Sequence, residues 1–191
     1  MALLPILTAP DPRLKMKSVA VEKVDDEVRQ LMDDMLETMH AAPGIGLAAP
    51  QVGVHKRVIV IEIEREGLQT GQILMANPEI IEASDEDATY EEGCLSVPEH
   101  YSEVVRPAKV RVRYLDRQNE IRELECEGLL ATCIQHEIDH LDGILFIDHI
   151  SALKRNMILR KLLKTRKEQE RDEAEGKPPA PRKREREAAE L

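Results

Sequence analysis

The stretch "CIQHEIDHLDG", residues 133–143, decides how the rest of the chain is read. It holds His-Glu-x-x-His. That spacing sets His136 and His140 about one turn apart on one helix face, a rise of ~6 Å. Two imidazoles so placed can converge on one ion. Glu137, beside the first, can reach the ion's water without binding the ion. The ordinary alternative is a pair of structural histidines. The surrounding "GLLATCIQHEIDHLDG" reads as a helix of about 14 residues closed by Gly143. Its apolar positions fall on more than one face, so burial is expected, and buried imidazole needs a partner.

A catalytic ion of this kind needs a third protein ligand. One continuation of the pattern places another His at the position held here by Phe146, which closes that route. Glu168 and Glu170 lie near the end of a later helix, a poor place for fixed geometry. His149 is a further candidate without support. Cys133 shares the face of His136, but it lies ~10.5 Å along the axis from His140 with its Cβ aimed at the helix N-terminus. It fits a pocket wall better. Cys126 ends a strand where any small apolar residue would serve. Cys94, in "EEGCLS", follows a glycine where a strand gives way to a loop. A loop sulfur reaching the helix from the side would complete a tripod and leave a fourth position open. A buried free thiol is the plainer reading of Cys94, and spacing leaves the choice open.

The bulk numbers narrow the class. A chain of 191 residues suits one domain with an appendage. Hydrophobic content of 42% supports a core, which aliphatics and seven Met must fill because aromatics are only 2%. Residues 1–153 hold 14 Lys/Arg against 29 Asp/Glu, a net of −15; residues 154–191 hold 13 against 8, a net of +5. The acidic body argues against broad nucleic-acid binding there. Three Cys are no disulfide framework and suit reduced thiols or a metal ligand. "MALLPILTAP" lacks a basic start and is broken by Pro5, and no run approaches the ~18 apolar residues of a membrane span. A soluble, cytoplasmic protein with no membrane association is expected.

Around the central helix the order is helix, short strands, helix, helix, which indicates an α+β fold. "DDEVRQLMDDMLETMHAAPG" carries Val28, Leu31, Met32, Met35, Leu36 and Met39 at helical spacing, with Asp25 or Asp26 as cap. "RVIVIEI" (57–63) is a β-branched strand. "QILMANP" and "EIIEAS" read as two strands around Asn77-Pro78. "ATYEEGCLSVPEH" begins extended and ends in a loop. "KVRVRYL" and "EIRELEC" form a hairpin through "DRQN". Ser151 can cap a last, basic helix, "ALKRNMILRKLLKTRKEQE". From Gly176 the chain is Pro-broken and charged, with the composition of a disordered tail.

Three segments in order, "GIGLAAPQ" (44–51), "EGCLS" (92–96) and "QHEIDH" (135–140), resemble the signatures of the bacterial peptide deformylase family, in its common "EGCLS" form. The likeness runs to about residue 165. The tail is longer than the family needs. The resemblance implies short antiparallel strands packed around a buried metal-binding helix, with a C-terminal helix. It implies a catalytic domain of residues 1–165; the charged segment 166–191 lies beyond the likeness and is expected from its composition to be a disordered tail.

It further implies that Cys94, His136 and His140 hold one divalent metal ion per chain and that Glu137 is the general acid/base. The reaction would be removal of formate from N-formylmethionyl peptides. Gln51 and the backbone N–H of Leu95 would face the oxyanion. Ile45, Gly46 and Gly93 would pair with the extended substrate. For the Met pocket, Leu129 and Cys133 lie on the helical face of His136, and Ile45 and Tyr90 are further walls; core packing explains these equally well. Asp139 reads as a partner of the site or as surface. Fe(II) is the ion expected physiologically, with Zn(II), Ni(II) or Co(II) as alternatives that such donors also admit. The basic helix, residues 154–167, suits docking to ribosomal phosphates as well as plain solvation. A monomer is expected.

Overall fold

The strand Val58–Ile61 (β2) explains the sheet around it. Val58 and Val60 point to one face, Ile59 and Ile61 to the other, and all four are fully buried. An unbroken β-branched run needs apolar cover on both sides, and two helices supply it. The computed structural model describes residues 2–65 and 67–175. α1 (Asp26–Ala41) packs Val28, Met32, Met35 and Met39 on Val58, Val60, Leu47 and Ala76. α2 (Gly128–Leu141) packs Ala131, Ile134, Ile138 and Leu141 on Ile59, Ile61, Met75 and Val112. The expected cap holds: Asp25 accepts from the Val28 N–H at 3.0 Å.

The main sheet is antiparallel, in the order β1 (Gly46–Ala48), β2, β5 (Ile73–Ala83), β8 (Lys109–Leu115), β9 (Ile121–Glu127). A small hairpin, β3 (Glu64–Arg65) with β4 (Leu68–Gln69), stands apart. So does the longer hairpin of β6 (Asp87–Cys94) with β7 (Val97–Pro107). α3 (Ala152–Ala174) follows and buries Ile158 and Leu162 against Leu14, Val97, Val104 and Phe146. It runs into the segment assigned to the tail, and residues 176–191 lie outside the described residues. Among the described residues no helix is long and apolar enough to cross a membrane.

Two expectations need correction. The strands expected on either side of Asn77-Pro78 are one strand, β5. Its pairing with β8 slips by one residue between Ala76 and Glu79, because Pro78 has no N–H to give the ladder. The segment after Cys94 is not loop: a tight turn at Leu95-Ser96 leads into β7, eleven residues long. Its inward positions Ser102, Val104 and Arg106 are mostly polar, which hides the alternation that marks a strand.

Gly143 ends α2 with φ +75°, and a Cβ there would lie 2.5 Å from the Lys15 carbonyl oxygen. Backbone strain and a clash with fixed backbone add. Gly143→Ala is therefore expected to lower stability by about 3 kcal/mol, read as a lower urea midpoint with unchanged m-value.

Candidate metal centre

α2 projects His136 and His140 from one face, with ring centroids 5.0 Å apart and planes at 73°. The tip of the β6–β7 hairpin brings Cys94 to them, its Sγ 3.2 Å from His140 Nε2. One ligand atom from each of the three residues lies within 4.8 Å of the other two, and among the described residues this is the single such cluster. The structure thus joins Cys94 to both histidines. Glu168 and Glu170 stand out in solvent on α3, and Cys126 lies in the sheet.

The donors fit a divalent ion in chemistry and in charge. Burial, the larger effect, and the neighbouring His136 hold His140 well below its ordinary pKa, so it is a neutral imidazole. Burial would lower His136 too, but hydrogen bonds to Cys94 and Glu92 outweigh it and hold it well above its ordinary value. That is the response of a site whose anionic neighbours favour positive charge. His136 Nδ1 bonds Glu92 Oε2 at 2.8 Å, and this leaves Nε2 for the tripod. Glu92 is ionised: burial opposes this, but the bonds from His136 and Arg106 bring its pKa down to about 2.

Glu137 is 4% exposed, and its Oε2 is buried without a protein partner. Burial pushes its carboxyl up to about 7. A carboxylate with one free oxygen beside the tripod is placed to accept a proton and to return it. Gln51, 1% exposed, takes the Ala48 N–H on Oε1 at 2.8 Å. That bond fixes the amide, so Nε2 points to Cys94 Sγ at 3.5 Å and to Ser96 Oγ at 3.2 Å. Leu95 follows Cys94 in the turn, its side chain packed on the α1 side of the sheet.

Of the residues expected to face substrate, Gly46 comes closest to the Glu137 carboxylate, with Cys133 and Ile45 adjoining it. A Cβ on Gly46 would stand 2.5 Å from Glu137 Oε1 and 2.9 Å from Cys133 Sγ, so β1 passes directly beside the carboxylate. Cys133 Sγ lies 3.8 Å from the Ile45 carbonyl oxygen. Ile45 and Leu129 pack on the same cluster as Cys133. The Tyr90 hydroxyl reaches the start of α2 and would lie 3.4 Å from a Cβ on Gly128. Gly93 is covered by the Tyr101 ring, 2.5 Å from where its Cβ would be. Sequence reasoning missed Glu92 and Arg106. Glu92 stood inside a quoted motif without a role. Arg106 gave no signal beyond an inward position in an unrecognised strand.

Such a constellation, a buried His-Glu-x-x-His helix completed by a sulfur from a hairpin, defines a metal-dependent hydrolase. The sequence profile of the polypeptide deformylase family matches residues 3–156. The peptide deformylase of Phenylobacterium zucineum is 62% identical over 164 residues, 86% of this chain and 97% of that protein. The crystal structure of peptide deformylase from Ehrlichia chaffeensis superposes with a TM-score of 0.85 at 43% identity, covering 87% of this chain and 98% of that one. A class I type b peptide deformylase from Acinetobacter baumannii, solved with Met-Ala-Ser bound, gives 0.76 at 39% identity over 78% of this chain and 99% of that one. The chain belongs to the polypeptide deformylase family.

Gly46→Ala is expected to displace the Glu137 carboxylate while sparing the three metal-facing residues. Turnover should fall on the order of 100-fold with metal content unchanged, read by formate release beside elemental analysis.

Proposed function

We infer that this chain removes the formyl group from N-formylmethionine at the N-terminus of new polypeptides, with Cys94, His136 and His140 holding the metal and Glu137 moving the proton. The observation that carries the residue assignment is the unpartnered, buried Glu137 oxygen beside a tripod drawn from two separate elements. The bound ion would supply an acidified water and a polarised formyl carbonyl. Glu137 takes a proton from the attacking water as the new C–O bond forms at the formyl carbon. Negative charge then gathers on the former carbonyl oxygen, and the Gln51 amide and the Leu95 backbone N–H donate to it. Glu137 hands its proton to the amine nitrogen as the C–N bond breaks, which releases formate and a free methionyl terminus.

Ile45, Gly46 and Gly93 offer backbone to an extended peptide, consistent with a β1 that is the outermost strand of its sheet. Ile45, Tyr90, Leu129 and Cys133 wall the methionine side chain. We take residues 1–165 as the catalytic unit, Fe(II) as the physiological ion, and a cytoplasmic monomer as the working form. The exposed Lys154, Arg160, Lys161, Lys164, Arg166 and Lys167 on α3 support docking to ribosomal RNA phosphates.

Two variants separate the roles. Cys94→Ala should lose stoichiometric metal. Glu137→Ala should keep metal and lose formate release from formyl-Met-Ala-Ser by on the order of 10³-fold or more. Absence of formate release by intact Fe(II)- or Ni(II)-loaded protein would contradict the assignment. For docking, Lys161→Glu with Lys164→Glu should weaken co-sedimentation with ribosomes and flatten its salt dependence, while activity on the free peptide stays unchanged.

A further inference from the structure

A line of hydrogen bonds leaves the tripod and ends at the surface. His136 Nδ1 meets Glu92 Oε2 at 2.8 Å. Arg106 grips both oxygens of Glu92, Nε to Oε1 at 2.6 Å and Nη2 to Oε2 at 3.0 Å. Its remaining nitrogen, Nη1, donates to Asp139 Oδ2 at 2.8 Å. The same oxygen meets His149 Nε2 at 2.8 Å. Arg106 and Glu92 are buried, Asp139 is partly covered, and the His149 side chain is 35% exposed. His149 lines an open cavity of about 600 Å³ with Glu91, Glu103 and Lys154.

We propose that Arg106, Asp139 and His149 are positioning residues of the metal centre, which lock the hairpin carrying Cys94 to the helix carrying His136 and His140. The proposal rests on the reading that these three residues hold the ion. Its force comes from where each member is rooted. Glu92 is on β6, two residues before Cys94. Arg106 is on β7. Asp139 is on α2, directly before His140. His149 lies past the end of α2, after the short helical turn Phe146–Asp148. One planar guanidinium thus ties the strand of the sulfur to the helix of the imidazoles, and its two-point grip on Glu92 leaves a single orientation for the third nitrogen. Asp139 Oδ2 serves two donors at once, so Arg106 and His149 are joined through one carboxylate oxygen. A shift at His149 reaches His136 through four hydrogen-bonded steps without touching the substrate.

The test uses the full chain loaded with Co(II), read by chelator competition, by the visible absorption of the ion, and by kcat and KM on formyl-Met-Ala-Ser. Asp139→Asn is expected to loosen Co(II) about tenfold and His149→Ala about threefold, with kcat lowered, KM unchanged and the absorption bands shifted. His149→Gln keeps an N–H donor of similar reach and should restore wild-type retention. Arg113→Gln, which breaks the exposed pair with Glu123, should leave retention unaltered. The proposal is overturned if Asp139→Asn and His149→Ala hold Co(II) as tightly as the wild type, whatever their thermal midpoints. It is also overturned if His149→Gln is as impaired as His149→Ala. Co(II) content insensitive to Cys94→Ala would overturn the underlying tripod assignment instead, so the two failures are separable.

Discussion

A sulfur carried by a hairpin has to meet two imidazoles carried by a helix, and most of the molecule serves that meeting. α2 fixes its two histidines relative to each other through its own backbone. Nothing local fixes Cys94 to them, since it is far away in sequence and on another element. The gap is closed by long-range means. Val97 and Val104 of the hairpin enter the core shared with Phe146 and α3. The Glu92–Arg106–Asp139 line crosses from hairpin to helix. A buried ion pair is weak evidence for net stability, because desolvation offsets much of the attraction. Here it ties the hairpin to the helix at a second point, beside the core contacts of Val97 and Val104.

Burial then turns geometry into chemistry. Each of Glu137, His140 and Gln51 is less than 5% exposed, in a chamber between the sheet edge and α2. Electrostatic interactions are screened far less in such a place than in water. The environment also pushes neighbouring carboxyls in opposite directions. Glu92, hydrogen-bonded to Arg106 and His136, is held near 2. Glu137, desolvated and with one oxygen unpartnered, is raised to about 7. One is a fixed anion that orients a ligand; the other is able to exchange a proton. The same residue type does both because the surroundings differ.

The sequence disclosed the parts that repeat or cap. α1 and α2 were legible from helical spacing, Asp25 from its cap position, and the β8–β9 hairpin from its turn. The tripod's two histidines were legible from spacing, whereas Cys94 needed a family likeness, because no local pattern encodes a contact between a turn and a distant helix. β7 was missed for a related reason. Ser102 and Arg106 occupy its inward face, so buried polar side chains erased the apolar alternation that would have revealed the strand. Asp139 reads from sequence as a partner of the site or as surface and His149 as an unsupported third ligand, because their link through Arg106 spans distant elements.

Gly46 has a consequence for adaptation. The strand beside the Glu137 carboxylate presents no side chain there, and a methyl group would press on Glu137 and Cys133. This wall of the chamber is peptide backbone alone, so any side chain placed there acts first on the Glu137 carboxylate. Ile45, Tyr90, Leu129 and Cys133, proposed above as walls for the methionine side chain, are by contrast side chains open to substitution. The first of these lies on the connection into β1, the second on the hairpin and the other two on α2. Under that proposal, substrate range drifts through these positions while the backbone beside the carboxylate stays constant.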